Sequence, residues 1–343
     1  MDHIATPTAA SHPAAGVHTR LVTIDTHIDI PWPDGPSFFA EGKRRVDLPK
    51  MRRGSLGAGC FAAYVPQGPR TEESHEAAYQ RAIGMLNAIH AMGHAGAIVC
   101  TSADEIERAR TDGVTAVIPC VENGHALGGD VGRLKHFRAL GARYLTLTHN
   151  GHNALGDSSN PRADLGDGAT EHGGLSPLGR EAVAELNRLG MLVDIAHVSK
   201  STMLQAAELS RTPVLSTHSC VRTLCDNPRN LDDDQLDALR ACGGVIHITA
   251  VPHFLRANKK PEDVTVADYV DHVEYAVQRI GIDHVGISSD FDGGGGFTGW
   301  RDAGESANIT AELQRRGYDD GAIALLWGGN FLRLLRIAEE YAA

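Results

Sequence analysis

The chain has 343 residues, 42% of them hydrophobic, and a formal net charge of -11 from 43 acidic and 32 basic side chains. This length can bury a large core as one α/β barrel or as two medium domains, and the acidic balance without any basic block argues against nucleic acid or an anionic membrane as partner. Small-molecule substrates fit that balance better. The six cysteines are dispersed without a repeated spacing, so reduced thiols are expected. The first twenty residues have no apolar core of signal-peptide length, and no run of about 18 apolar residues occurs. The expectation is a soluble cytoplasmic protein with a loose tail over residues 1–19.

In chain order, eight short β-rich runs stand out: VTIDTHIDI, GCFAAYVP, TAVIPCVE, RYLTLTHN, MLVDIAHVS, PVLSTHS, GVIHITAV and HVGISSDFD. In the first, strict alternation would set Asp25, His27 and Asp29 on one face and Ile24, Thr26, Ile28 and Ile30 on the other. Helical patterns lie between the runs, including ESHEAAYQRAIGMLNAIHAMG, SPLGREAVAELNRLG and TVADYVDHVEYAVQRIG, many ending at a glycine suited to a helix C-terminus. The last places Val266, Tyr269, Val270, Val273, Val277 and Ile280 at helical intervals behind a cap at Thr265, with Asp268 three residues on. Eight strands alternating with helices match a (β/α)8 barrel, although alternation alone also allows a doubly wound sheet.

Polar residues separate those two architectures. His27 and Asp29 end the first run, Glu122 the third, His149 the fourth, His197 the fifth, His218 the sixth and Asp290 the eighth. A barrel gathers strand C-terminal ends around one mouth, whereas an open sheet spreads them along an edge. The placement therefore predicts a single (β/α)8 TIM-type barrel over residues 20–343, with these residues at its mouth.

Imidazoles and carboxylates in this number suit Zn²⁺, with Mn²⁺ or Co²⁺ as neighbours in chemistry. A two-metal centre needs a bridging carboxylate, and Glu122 in CVENG is the natural candidate. RYLTLTHN contains no lysine that could be modified to bridge instead. Of the 18 histidines, His75, His90, His94, His136 and His272 fall inside helical patterns and are read as structural. His125, His152 and His172 fall in loops and could support the site. Cys120 and Cys220 are read as packing residues, and Gly293 to Gly296 as a flexible loop, since the lysine and hydroxyl of a phosphate-binding loop are missing. No G-x-S-x-G elbow occurs.

The motifs IDTHID with PW, VENGHAL, RYLTLTHN, DIAHVS, STHS, NPRN and VGISSDFDG resemble, in order and spacing, those of the membrane (renal) dipeptidase family, a zinc-dependent branch of the amidohydrolase superfamily. The resemblance runs from about residue 20 to the C-terminus. It implies a metal-dependent dipeptidase with two Zn²⁺: His27 and Asp29 on one ion, His197 and His218 on the other, Glu122 bridging. It further implies that His149 contacts the scissile carbonyl or oxyanion, that Arg229 holds the substrate's C-terminal carboxylate, and that Asp290 handles protons. Dipeptides, including those with a D-residue at the C-terminal position, are the implied substrates.

Two features depart from the family pattern. The seventh run offers His247 and Thr249 where an aromatic residue is expected to help hold the substrate. The secretion and lipid-anchor signals of the mammalian members are not seen, which favours a cytoplasmic enzyme without membrane attachment. The segment from Gly151 to Gly174 is expected to cover the mouth. Exposed barrel helices leave homo-oligomerisation open. Alternatives on the same metal centre are another amide or ring hydrolysis, a biosynthetic tailoring reaction, or a non-catalytic metal-stabilised binding protein.

Overall fold

A computed structural model describes residues 13–342. Nine strands form one wholly parallel sheet: β1 Ile24–Asp29, β2 Ala58–Tyr64, β3 Ala97–Val99, β4 Thr115–Glu122, β5 Tyr144–Thr146, β6 Leu192–Asp194, β7 Leu215–Ser219, β8 Val245–Ile248 and β9 Val285–Ile287. The order β1-β2-β4-β5-β6-β7-β8-β9 uses all eight expected runs. Just past β9, the Asp290 N–H donates to the His27 carbonyl at 3.0 Å and the Asp29 N–H to the Phe291 carbonyl at 2.9 Å, which joins the two ends of the sheet. The result is a nearly closed (β/α)8 barrel.

β3 is the strand that the sequence reading did not anticipate. It is three residues long, pairs only with the first residues of β4, and carries the exposed Ile98, so it lacks the buried period of the barrel strands. The helices behave as their patterns require. Val266–Ile280 buries Tyr269, Val270, Val273, Ala276 and Ile280, and at its start the Thr265 N–H and hydroxyl both donate to the Asp268 carboxylate at 3.0 Å.

Residues 1–12 of the expected loose tail lie outside the described residues. The part that is described is anchored: Pro13–His18 is helical, and the buried His18 ring meets the Thr310 hydroxyl at 2.7 Å and the Gly54 carbonyl at 3.0 Å. At the C-terminus, Asp320–Ala342 is long and apolar enough, by length and mean hydropathy, to cross a bilayer, although Asn330, Arg333 and Arg336 interrupt its apolar residues. Its apolar side instead lies under the barrel, where Phe331, Leu334, Leu335 and Ala338 join one core with Ile24, Tyr144, Leu192, Leu215 and Val245.

Candidate metal and active site

Two β-bulges shape the mouth. Pairing of β1 with β2 shifts between Asp25 and Ile28, and pairing of β7 with β8 shifts between Ser216 and Ser219. Each bulge contains a Thr-His pair, Thr26-His27 and Thr217-His218. An extra residue resets the in-out alternation, so consecutive side chains can point the same way. Thr26 shows this directly: its hydroxyl donates across the barrel to the Thr217 carbonyl at 3.0 Å, while the adjacent His27 ring lies 3.9 Å, centroid to centroid, from that of His218. The expected grouping of Asp25 with His27 and Asp29 therefore fails. Asp25 is buried within β1 and outside the grouped ligand atoms, its Oδ1 accepting the N–H groups of His27 and Ser289.

The remaining site residues converge as expected. Glu122, at the end of β4, presents Oε2 to His27 Nε2 at 3.5 Å, and Oε1 to His197 Nε2 at 3.2 Å, His218 Nε2 at 3.6 Å and His149 Nε2 at 3.9 Å. Asp29 Oδ1 lies 3.9 Å from His27 Nε2. Within 4.8 Å, ligand atoms group as His27, Glu122 and His218; as Glu122, His149 and His197; and as His27, Asp29 and Asp290. His197 and Asp290 adopt left-handed backbone angles, φ 67° and 60°, unusual for residues other than glycine and concentrated here at the mouth.

A cavity of about 260 Å³ opens onto this cluster, lined among others by Asp29, Glu122, His149, His197, His218, Arg229 and Asp290. Arg229 is buried, its guanidinium 5.5 Å above the Phe254 ring; Nη2 donates to the His218 carbonyl at 3.1 Å and Nε has no partner among the described residues. The sequence reading missed Tyr64, Asn150, His253 and Phe254 in the same lining. Tyr64 ends β2 as the ligands end their strands, so the same rule would have found it; its ring stands 4.8 Å from that of His149. Phe254 had no comparable signal, because it sits past β8 in the short helix Pro252–Leu255. It supplies the aromatic wall that His247 does not. His247 turns away from the mouth, bonded to the Ser216 carbonyl at 3.2 Å.

Gly293 to Gly296 is not a loose loop. The N–H groups of Gly293, Gly294 and Gly295 all donate to the Asp290 carbonyl, and a Cβ on Gly293 would come within 2.4 Å of both Asp29 and Asp290 carboxylates. Glycine is required there for close approach. His152 and His172 pin the 151–174 segment to itself, bonding to the Gly168 and Asn153 carbonyls, and neither lines the cavity. His125 is likewise held between Gln67 and Ser74. Cys120 and Cys220 are buried outside the cavity lining, in keeping with packing roles.

Electrostatics match a cation site. Burial drives His149 down to about 4 and holds His197 and His218 well below the usual imidazole range, so all three carry free lone pairs at neutral pH. Burial also works against a charged His27, but Glu122, Asp29 and Asp290 outweigh it and lift that ring to about 10. Burial raises Asp290 to about 7 against the pull of His27. His27 Nε2 and Asp29 Oδ1 are buried without any hydrogen-bond partner among the described residues. Buried carboxylates facing imidazoles are tolerated where a positive charge joins them, a part that a proton on His27 plays in the cation-free protein, and the donor set fits divalent zinc or its neighbours.

The family model for membrane dipeptidases, peptidase family M19, matches residues 12–343. The chain belongs to the membrane dipeptidase family. As a member it is a hydrolase, and its relatives are similarly named. It is 35% identical over 306 residues to dipeptidase tcpJ of Claviceps purpurea, covering 87% of this chain and 70% of that one. Identity to dipeptidase verJ of Clonostachys rogersoniana is 34%, covering 86% and 76%. Among solved structures, the probable dipeptidase PvdM from Pseudomonas aeruginosa superposes with a TM-score of 0.90 at 30% identity, over 96% of this chain and 98% of that one. A metallo peptidase from Rhodobacter sphaeroides, liganded with a phosphinate mimic of L-Ala-D-Ala, gives 0.80 at 26% identity, over 92% and 99%.

Proposed function

We propose that this membrane dipeptidase-family enzyme hydrolyses dipeptides, L,D as well as L,L, at a binuclear zinc centre built by His27, Asp29, Glu122, His197 and His218. The observation that carries the reading is the division of the Glu122 carboxylate, one oxygen towards His27 and the other towards His197 and His218. A bridging carboxylate requires that division. Two zinc ions held there would supply the Lewis acidity that ionises water near neutral pH and polarises a carbonyl.

The chain's own groups have separable tasks. His149 differs from the other three imidazoles at the site: its ring makes no hydrogen bond to the described protein and it faces the cavity, which leaves a nitrogen for the carbonyl oxygen of a substrate. A donor at that point stabilises negative charge as it develops on the oxygen. Asp290, whose carboxyl sits near neutrality, can accept a proton from the attacking water and return it to the leaving amine. Arg229 offers a planar fork to a carboxylate, and burial beside Phe254 strengthens that attraction by excluding water. A cavity of about 260 Å³ closed by this guanidinium suits a short peptide with a free C-terminus.

A metal count by mass spectrometry, coupled to hydrolysis of a panel of L,L and L,D dipeptides, tests the proposal. Two zinc ions per chain with turnover on the panel are expected. A blank panel with both ions bound removes the dipeptidase assignment, and no bound metal removes the centre.

A further inference from the structure

The Nδ1 edges of the proposed ligands show how their lone pairs are aimed. His27 Nδ1 meets the Tyr144 hydroxyl at 3.0 Å, and that hydroxyl also lies 3.0 Å from the Thr26 carbonyl. A carbonyl can only accept, so the single phenolic proton is committed to Thr26 and the oxygen can only accept from His27 Nδ1–H. The second bulge repeats the logic with a different residue. His218 Nδ1 meets the Thr217 hydroxyl at 2.8 Å, and that hydroxyl donates to Asp194 Oδ2, also at 2.8 Å. Asp194 is completely buried and saturated as an acceptor, taking the Thr146 hydroxyl and the N–H groups of Ala196 and Thr217 as well.

Both relays consume the Nδ1–H and leave Nε2 as the edge a cation would take. The consequence is visible where His218 Nε2 stands 2.8 Å from His197 Nε2. His197 Nδ1 in turn faces the Asn150 amide oxygen at 3.4 Å, an acceptor that also receives Asn160 Nδ2. With acceptors holding all three Nδ1 protons, two Nε2 lone pairs point at each other, an arrangement that a cation between them would satisfy.

We infer that Tyr144 and the Asp194–Thr217 pair are positioning residues that fix His27 and His218 as Nδ1–H tautomers, so that both present Nε2 to the metals. The inference rests on the binuclear reading above and adds residues that touch neither metal nor substrate. Outer groups of this kind orient ligands, and losing one costs about 10–100-fold in metal affinity.

The test compares the full-length enzyme with Tyr144→Phe, Thr217→Val, Thr217→Ser and Asp194→Asn, using zinc as the probe. Zinc dissociation constants come from chelator competition, and the melting of each zinc-free variant is recorded alongside. Tyr144→Phe and Thr217→Val are each expected to weaken zinc by about 10–100-fold, while Thr217→Ser, which keeps the hydroxyl, stays near wild type. Asp194→Asn is expected to weaken zinc as well, because an amide N–H facing Thr217 turns its hydroxyl proton towards His218. If Thr217→Val does not fold, Tyr144→Phe and Asp194→Asn carry the comparison. Zinc affinities all within about twofold of wild type would overturn the positioning role while leaving the metal centre intact, as would an equal loss in Thr217→Ser and Thr217→Val. A wild-type protein that binds no zinc would instead remove the centre itself.

Discussion

The two ends of the barrel are built on opposite principles. At the closed end, Ile24, Tyr144, Leu192, Leu215 and Val245 meet the apolar face of Asn330–Ala342, and stability comes from excluding water. At the open end β1, β4, β6, β7 and β9 finish in or run on to Asp29, Glu122, His197, His218 and Asp290, groups that are costly to bury; His218 lies in a bulge, and His197 and Asp290 in left-handed turns. Tyr144 belongs to both ends: its ring fills the apolar floor and its hydroxyl reaches the His27 ring. The difference shows that one barrel can support a dry floor and a polar mouth because water exclusion and polar satisfaction are met in successive layers, with Tyr144 linking the two.

That contrast can be broken most severely at Glu122. Glu122→Gln removes the charge that both imidazole groups face, so metal content measured by mass spectrometry should collapse and dipeptide hydrolysis should fall to background. His149→Ala should leave metal content unchanged while lowering kcat by about 10²–10³-fold, as expected for the loss of one oxyanion donor. Unchanged turnover would remove that role. At the other end, Leu335→Ala should cost about 2–5 kcal/mol in chemical denaturation, because it opens a cavity in the floor, yet leave kcat and metal content of the folded enzyme as they are.

The smallest expected effect sharpens the boundary of the mouth. Burial would raise the Asp157 carboxyl, but the Thr170 hydroxyl and the N–H groups of His172, Glu171 and Gly174 outweigh it and hold it near 2. A folded value below the unfolded 3.8 means that its contribution is fully present above about pH 4 and is lost as pH falls towards 2. Asp157→Asn should abolish that segment of the acid-denaturation profile and increase proteolytic nicking within 151–174. An unchanged profile would show that other carboxylates set it.

The sequence by itself determined the eight barrel strands, their alternation with helices, and the location of His27, Asp29, Glu122, His149, His197, His218 and Asp290 at strand ends. These were legible because buried parallel strands need apolar runs, and a polar residue terminating such a run is costly unless something satisfies it. Tyr64 obeys the same rule and was legible in principle. The facing of Asp25, the pairing of the two Thr-His bulges, the aromatic wall at Phe254 and the plug beneath the barrel were decided only by the tertiary structure. A bulge is created by a mismatch between neighbouring strands, and Phe254 has no local signal; the Asn330–Ala342 helix shows a periodic apolar face, but the partners that face meets are distant along the chain, so its place beneath the barrel is set by tertiary packing.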